Sequence, residues 1–136
     1  MTQRYGIDTS ILVRLVTGEP VLDYDIAVRQ LTRMVENQGA QLFASNMVIG
    51  EAYIALQHHY AVTKPAAKAA LRSVLTSGLV QPLHGQAALD ALAATKGCGL
   101  LDRLIAGGYS AAELDTLTFD RKMAALPRAT RLKVLR

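Results

Sequence analysis

The sequence predicts an α/β fold, a mostly parallel central sheet of about four to five strands flanked by helices. Short apolar runs of strand length alternate with longer segments in which apolar residues recur every three or four positions. Glycine and proline punctuate these segments, and no repeat or low-complexity stretch interrupts them. A chain of 136 residues has the length of one domain, so we expect residues 1–136 to form a single domain.

The predicted elements follow one another in simple alternation. Strands are predicted over residues 5–7, 42–44, 79–80, 114–119 and 132–135. Helices are predicted over residues 9–17, 21–37, 46–59, 65–77, 86–95, 100–109 and 121–126. This order favours parallel strands joined by helical crossovers.

Capping and breaking residues set the boundaries in the first half of the chain. A helical pattern begins directly after Asp8 and is stopped by Gly18. The second helix ends at Gly39, just before a short buried strand. Ser45 or Asn46 then caps the third helix, because both side chains can accept a hydrogen bond from a first-turn amide.

The second half is punctuated in the same way. Pro65 occupies a permitted position in the first turn of the fourth helix, which Gly78 ends. Gly97 and Gly99 separate the fifth helix from the sixth. A late strand rich in threonine and leucine follows, and Asp120 stands just past its end.

Composition indicates a cytoplasmic protein that contacts no membrane. The single Cys98 cannot form an internal disulfide, and no apolar run approaches the length of a spanning helix. Asp8 and Arg14 interrupt the N-terminal apolar residues, so we do not expect a signal peptide there. The net charge is +4, with a basic cluster near the C-terminus formed by Arg121, Lys122, Arg128, Arg131, Lys133 and Arg136. That cluster is either a solvated surface or a contact for nucleic acid.

Four carboxylates occupy comparable places in this arrangement. Asp8 and Asp120 follow strands, Asp102 lies in the first turn of a helix, and Glu51 lies on the helix after the second strand. Glu51 shares a helix face with Val48, where a carboxylate is costly unless it is paired or binds a cation. Ligand sites in open parallel sheets form outside the carboxyl ends of the strands, so we expect the four side chains to line one crevice.

A shared crevice would bring like charges together, and each ionised carboxylate would then raise the pKa of the others. A hard divalent cation relieves that repulsion, and oxygen ligands suit Mg²⁺ or Mn²⁺. Such an ion can activate water for attack on a phosphodiester. The alternative is structural: Asp8, Asp102 and Asp120 all stand at helix starts, where an Asp commonly serves as a cap.

Four segments of the sequence together resemble PIN-domain ribonucleases, in particular the VapC-type toxins of toxin–antitoxin systems. The segments read YGIDTSILVRLV, SNMVIGEAYIAL, GLLDRLIAGGY and DTLTFDRKM, and they span residues 4–123. The third departs from the family pattern because it holds Gly107 and Gly108 where alanine is usual. Glycine there costs about 1 kcal/mol each in helix stability relative to alanine.

The resemblance implies a site and an activity. It implies that Asp8, Glu51, Asp102 and Asp120 bind the metal, with Thr118 orienting a carboxylate or a metal-bound water. It implies metal-dependent endonucleolytic cleavage of RNA, an antitoxin partner, and a homodimer. Ser10, Arg103 and Asp115 are further residues near the site; Arg103 would contact either a phosphate or an acidic residue, and Asp115 would be a ligand or an exposed residue.

The sequence also bears on three other functions. A phosphatase of the haloacid-dehalogenase type needs a second Asp two residues after the first, and Ser10 stands there. A receiver domain needs a phosphorylatable Asp after a central strand, where Ser45 stands. A non-catalytic PIN-like module that binds RNA or protein is the alternative that the sequence leaves open.

Overall fold

The computed structural model describes residues 2–133 and has the predicted α/β composition. Its strands are β1 (Arg4–Gly6), β2 (Gln41–Ala44), β3 (Gln81–Pro82), β4 (Thr116–Thr118) and β5 (Ala129–Arg131). Its helices are α1 (Thr9–Thr17), α2 (Val21–Gln38), α3 (Asn46–His59), α4 (Lys64–Leu75), α5 (Gln86–Ala93) and α6 (Leu100–Ala111). A 3₁₀ turn spans Met123–Ala125.

All strand pairs in the described part of the chain are parallel, which confirms the predicted fold class. One sheet has the order β1-β2-β3, with Tyr5 beside Leu42 and Phe43 beside Gln81. The other pairs β4 with β5. The five strands are thus divided between two sheets and do not form one continuous central sheet.

Two strands lie elsewhere than the sequence predicts. The third pairs at Gln81–Pro82 and not at residues 79–80, although Val80 is fully buried. The last pairs at Ala129–Arg131, while the predicted segment 132–135 is not a strand at residues 132 and 133 and otherwise lies outside the described residues. A run of apolar residues indicates which side chains are buried, whereas a strand is defined by backbone hydrogen bonds to a neighbouring strand. The predicted and observed strands therefore differ by a few residues.

Aliphatic side chains build the core around α3. This helix buries Ile49, Ala52 and Leu56, and it packs against α1, α4 and α6. Leu12 of α1 and Leu71 of α4 are completely buried in the same cluster. This packing fixes the starts of α1, α3 and α6 relative to one another. From residue 2 to residue 133, no helix is both long and apolar enough to cross a membrane.

Candidate active site

Asp8 lies at the carboxyl edge of the three-stranded sheet and caps α1. The amide of Ile7 still donates to the carbonyl of Phe43, 2.8 Å away, so the chain leaves the sheet immediately before Asp8. The Asp8 Oδ1 atom accepts a hydrogen bond from the Ile11 amide at 3.1 Å and another from the Ser10 hydroxyl at 2.7 Å. The capping role considered from the sequence is therefore present, and the carboxylate remains exposed to solvent.

These hydrogen bonds favour the ionised form of Asp8. The Ser10 hydroxyl, followed by the Ile11 amide, lowers the pKa of Asp8 below its ordinary value, and slight burial opposes them. The sequence-based expectation that neighbouring carboxylates would raise this pKa is wrong for Asp8. The reason is that hydrogen bonds donated to the carboxylate outweigh its slight burial, and no neighbouring carboxylate contributes to the shift.

Replacing Ser10 with alanine is expected to raise the pKa of Asp8 toward its ordinary value. A lowered folded-state pKa contributes stability above the unfolded-state pKa, and that contribution is lost as pH falls through the folded-state value. The variant should therefore lose less stability than the wild type between neutral and acidic pH. Carbon-detected NMR titration of Asp8 measures the shift, with Ser77→Ala as control because Ser77 bonds only within its own turn. An unchanged Asp8 titration would contradict the assignment of Ser10.

A hydrogen bond between helices joins Glu51 to Thr9, the residue after Asp8. The Thr9 hydroxyl, one residue beyond Asp8, donates to the Glu51 Oε1 atom at 3.3 Å. Glu51 is exposed, while Val48 on the same face is half-buried. The expectation of a carboxylate on a buried apolar face is thus corrected: Glu51 reaches solvent beside the N-terminus of α1.

Asp102 is half-buried in the first turn of α6, and that turn packs closely on α3. A Cβ atom added at Gly50 would lie 3.0 Å from the Leu101 Cδ2 atom, so a larger residue there would require the Leu101 side chain to shift by a few tenths of an ångström. The Asn46 side chain strengthens the contact by donating to the Leu104 carbonyl at 2.8 Å. The sequence indicated only a capping role for Asn46, because nothing local shows that its side chain reaches another helix.

Asp120 follows β4 and is exposed, and it forms hydrogen bonds with Thr118 and Met123. Its Oδ2 atom accepts from the Met123 amide at 2.9 Å and so caps the 3₁₀ turn. The Thr118 hydroxyl oxygen accepts from the Asp120 amide at 2.9 Å, which fixes the backbone that presents the carboxylate. Across residues 2–133, no hydrogen bond or ion pair joins Asp120 to Asp8, Glu51 or Asp102.

The four carboxylates are the type of ligand that a hard cation prefers, but their side chains are not gathered around one point. All are oxygen donors and none is fully buried. Within the described residues, however, no three Asp, Glu, His or Cys side chains lie close enough together to hold an ion. Glu51 is hydrogen-bonded to Thr9, the residue after Asp8, and Asp102 lies in the first turn of a helix packed on α3. The residues present therefore fit Mg²⁺ or Mn²⁺ by donor type, and the ligand set remains a proposal.

The further residues near the site have local roles. Asp115 is exposed and forms an ion pair of 2.8 Å with Arg128, which agrees with the exposed interpretation. Arg103 contacts no carboxylate among the described residues; its guanidinium donates instead to the carbonyl oxygens of Cys98 and Lys96. The ion pair considered for Arg103 from the sequence is therefore wrong, and the phosphate contact stays a prediction.

A mainly apolar groove lies between α3 and α6 beside Glu51. Its volume is about 840 Å³, and Thr9 and Glu51 contribute to its lining. Its exposed apolar side chains are Met47, Ile54, Leu101, Ile105 and Tyr109. We call this surface the α3–α6 groove. An apolar groove of this kind is unusual on a surface that contacts only water.

The PIN-domain family profile matches residues 5–129, nearly the whole chain. The chain belongs to the PIN-domain family. PIN domains are typically nucleases, so this membership assigns the chain to a nuclease family. No curated protein matches the sequence. Among solved structures, similarity is found to VapBC2 from Rickettsia felis bound to a DNA fragment from its promoter, at 17% identity over 96% of this chain and 98% of that chain, with a TM-score of 0.44.

Proposed function

We propose that this PIN domain is a metal-dependent endoribonuclease. The hydrogen bond from Thr9 to Glu51 supports this most directly, because it joins a second carboxylate to the residue that follows Asp8 at the carboxyl edge of the sheet. The packing of α6 on α3 brings the start of the Asp102 helix toward the same region. Family membership supplies the expectation that such an edge is a nuclease site.

In this proposal Asp8, Glu51, Asp102 and Asp120 would hold Mg²⁺ or Mn²⁺ after their side chains rotate toward one another, and three of the four are exposed while Asp102 is half-buried. The ion would lower the pKa of a bound water and neutralise charge on the leaving oxygen. Ser10 keeps Asp8 ionised, and Thr118 fixes the backbone of Asp120. The chain itself thus contributes charged ligands and their orientation.

The surface beside Asp120 supports RNA as the substrate. Phe119 is 60% exposed directly before Asp120, and Arg121 and Lys122 are exposed directly after it. Arg131 on the paired strand is also exposed, and its Nε atom donates to the Phe119 carbonyl at 3.2 Å. An exposed aromatic ring among cations is suited to stack an unpaired base and contact its phosphates.

Cleavage of RNA by the purified protein tests the proposal. We expect cleavage of single-stranded RNA in Mg²⁺ or Mn²⁺, complete loss in excess EDTA, and recovery when the ion is restored. The assay uses end-labelled RNA, with a duplex of the same sequence for comparison. Full cleavage in EDTA would contradict metal dependence, and RNA binding without cleavage under all conditions would favour the non-catalytic binding module.

We further propose that the chain is the toxin of a toxin–antitoxin pair and forms a homodimer. The exposed carboxylates would accept a cationic side chain, most readily Arg, from a partner that blocks the metal site. The α3–α6 groove offers an apolar face of two helices, which a second copy can cover with the same face.

A further inference from the structure

The first turn of α6 lacks the side-chain cap that the first turns of α1 and α3 have. Asp8 caps α1 and Ser45 caps α3, each by accepting a first-turn amide. The N-cap of α6 is Gly99, which has no side chain to do so. The orientation of the first turn of α6 therefore depends on other contacts, and this turn contains Asp102.

Arg103 supplies those contacts. Arg103 directly follows Asp102; its Nε atom donates back to the Cys98 carbonyl at 3.1 Å, and its Nη2 atom donates to the Lys96 carbonyl. The Arg103 amide also donates to the Gly99 carbonyl at 3.2 Å. One residue thus ties the preceding segment to the helix at three carbonyl oxygens.

The backbone conformation of Gly97 and the space beside it both favour glycine next to the Arg103 guanidinium. Its φ angle of +84° lies in the left-handed region that favours glycine. A Cβ atom added there would lie 3.1 Å from the Arg103 Nη2 atom, so a larger residue would also push against the guanidinium. The glycine spacing and the arginine therefore form one local structure, although the sequence indicated only a helix break at this point.

We propose that Arg103 is a positioning residue, which fixes residues 96–99 against α6 and so holds Asp102 in place for the metal. The inference rests on the proposed nuclease function. Outer contacts that orient metal ligands typically affect metal affinity or activity by about ten- to a hundredfold. Lysine cannot replace the arginine, because one ammonium group does not reproduce a planar fork that reaches two carbonyls.

The chain offers a matched control at the other end of the same connection. The Lys68 Nζ atom donates to the Ala94 carbonyl at 2.7 Å, so it too joins a cationic side chain to the backbone between α5 and α6. It lies on α4, however, and among the described residues no hydrogen bond joins its side chain to residues 96–99. Lys68→Met should disturb the connection without moving Asp102.

The experiment measures Mn²⁺ affinity by calorimetry, and kcat and KM for RNA, in Arg103→Ala, Arg103→Lys, Gly97→Ala and Lys68→Met. We expect the first three to bind Mn²⁺ about ten- to a hundredfold more weakly, with kcat at limiting metal reduced and KM for RNA little changed. Added guanidinium ion should partly restore Arg103→Ala but not Gly97→Ala. Lys68→Met should bind Mn²⁺ as the wild type does.

Two outcomes separate the inference from the function on which it rests. Wild-type protein that binds no Mn²⁺ and cleaves no RNA would refute the proposed function. Equal Mn²⁺ affinity in the wild type and a folded Arg103→Ala or Arg103→Lys variant would refute only the role of Arg103. Equal loss of affinity in Lys68→Met would show that the connection acts as a whole, and would likewise overturn a specific role for Arg103.

Discussion

Replacing Asp8, Asp102 or Asp120 with asparagine is expected to reduce RNA cleavage by about a hundredfold or more while leaving the protein folded. Each substitution removes one negative charge from the proposed metal ligands at nearly constant shape, and metal-assisted catalysis is worth several kcal/mol. Rates are measured at saturating Mg²⁺ or Mn²⁺, with circular dichroism as the check on folding. Wild-type rates in any one of the three variants would contradict its place in the site.

Asp115→Asn provides the matched control for these variants. Asp115 is an exposed aspartate five residues before Asp120, and its carboxylate pairs with Arg128. An exposed ion pair contributes little to stability, so its loss should alter neither fold nor rate appreciably. If Asp115→Asn also abolished cleavage, Asp115 would belong among the ligands.

Thermal melts of the same variants distinguish a metal site from helix caps alone. In EDTA, Asp8→Asn and Asp120→Asn should melt at or below the wild type, because both carboxylates accept a helical amide and asparagine loses the charge interaction, about 0.3–1 kcal/mol. Added Mn²⁺ should then stabilise the wild type more than either variant, since the ion binds only the folded site. If the carboxylates only cap helices and bind no metal, Mn²⁺ should shift the melting temperatures of the wild type and the variants equally.

The proposed role as a toxin is tested by expressing the wild type and Asp8→Asn in a host that lacks the antitoxin. Wild-type protein should arrest growth, and Asp8→Asn should be tolerated at the same level of expression. Because the two chains differ only in one proposed ligand, the difference would connect toxicity to cleavage. Harmless expression of folded, active wild-type protein would contradict the role as a toxin.

Much of the fold could be predicted from the sequence because its signals are local. Asp8, Ser45 and the glycines at helix ends mark boundaries through their own hydrogen bonds and φ angles, and the helices begin and end close to those residues. The strands were harder to place, as β3 and β5 show. Their positions depend on which backbone lies alongside, and a short apolar run does not contain that information.

The residues of the proposed metal site stay a prediction, and the contacts that the structure gives them were not predicted. The sequence identified Glu51 by the apolar character of its face, whereas the structure shows that Glu51 accepts a hydrogen bond from Thr9. Arg103 was considered for its charge, yet its guanidinium bonds to carbonyl oxygens of the preceding segment. Such contacts depend on the paths of helices and loops through space, which periodicity and spacing do not determine.

Disruption of the α3–α6 groove is expected to dissociate the proposed homodimer. Ile105 lies in the groove and is 50% exposed in the single chain. Ile105→Glu would place a charge in an apolar interface, where an unpaired ion is strongly unfavourable. Light scattering at micromolar concentration should show a dimer for the wild type and a monomer for the variant, with the dissociation constant raised about a hundredfold or more.

Leu83→Glu separates loss of the interface from a general effect of adding charge. Leu83 is 48% exposed, almost the same as Ile105, but it follows β3 and lies outside the groove. This variant should therefore remain a dimer. The proposed interface also borders Glu51, so Ile105→Glu should lower RNA cleavage if dimerisation supports the site. A monomeric wild type would reject the homodimer, and a dimeric Ile105→Glu variant would place the interface on another face.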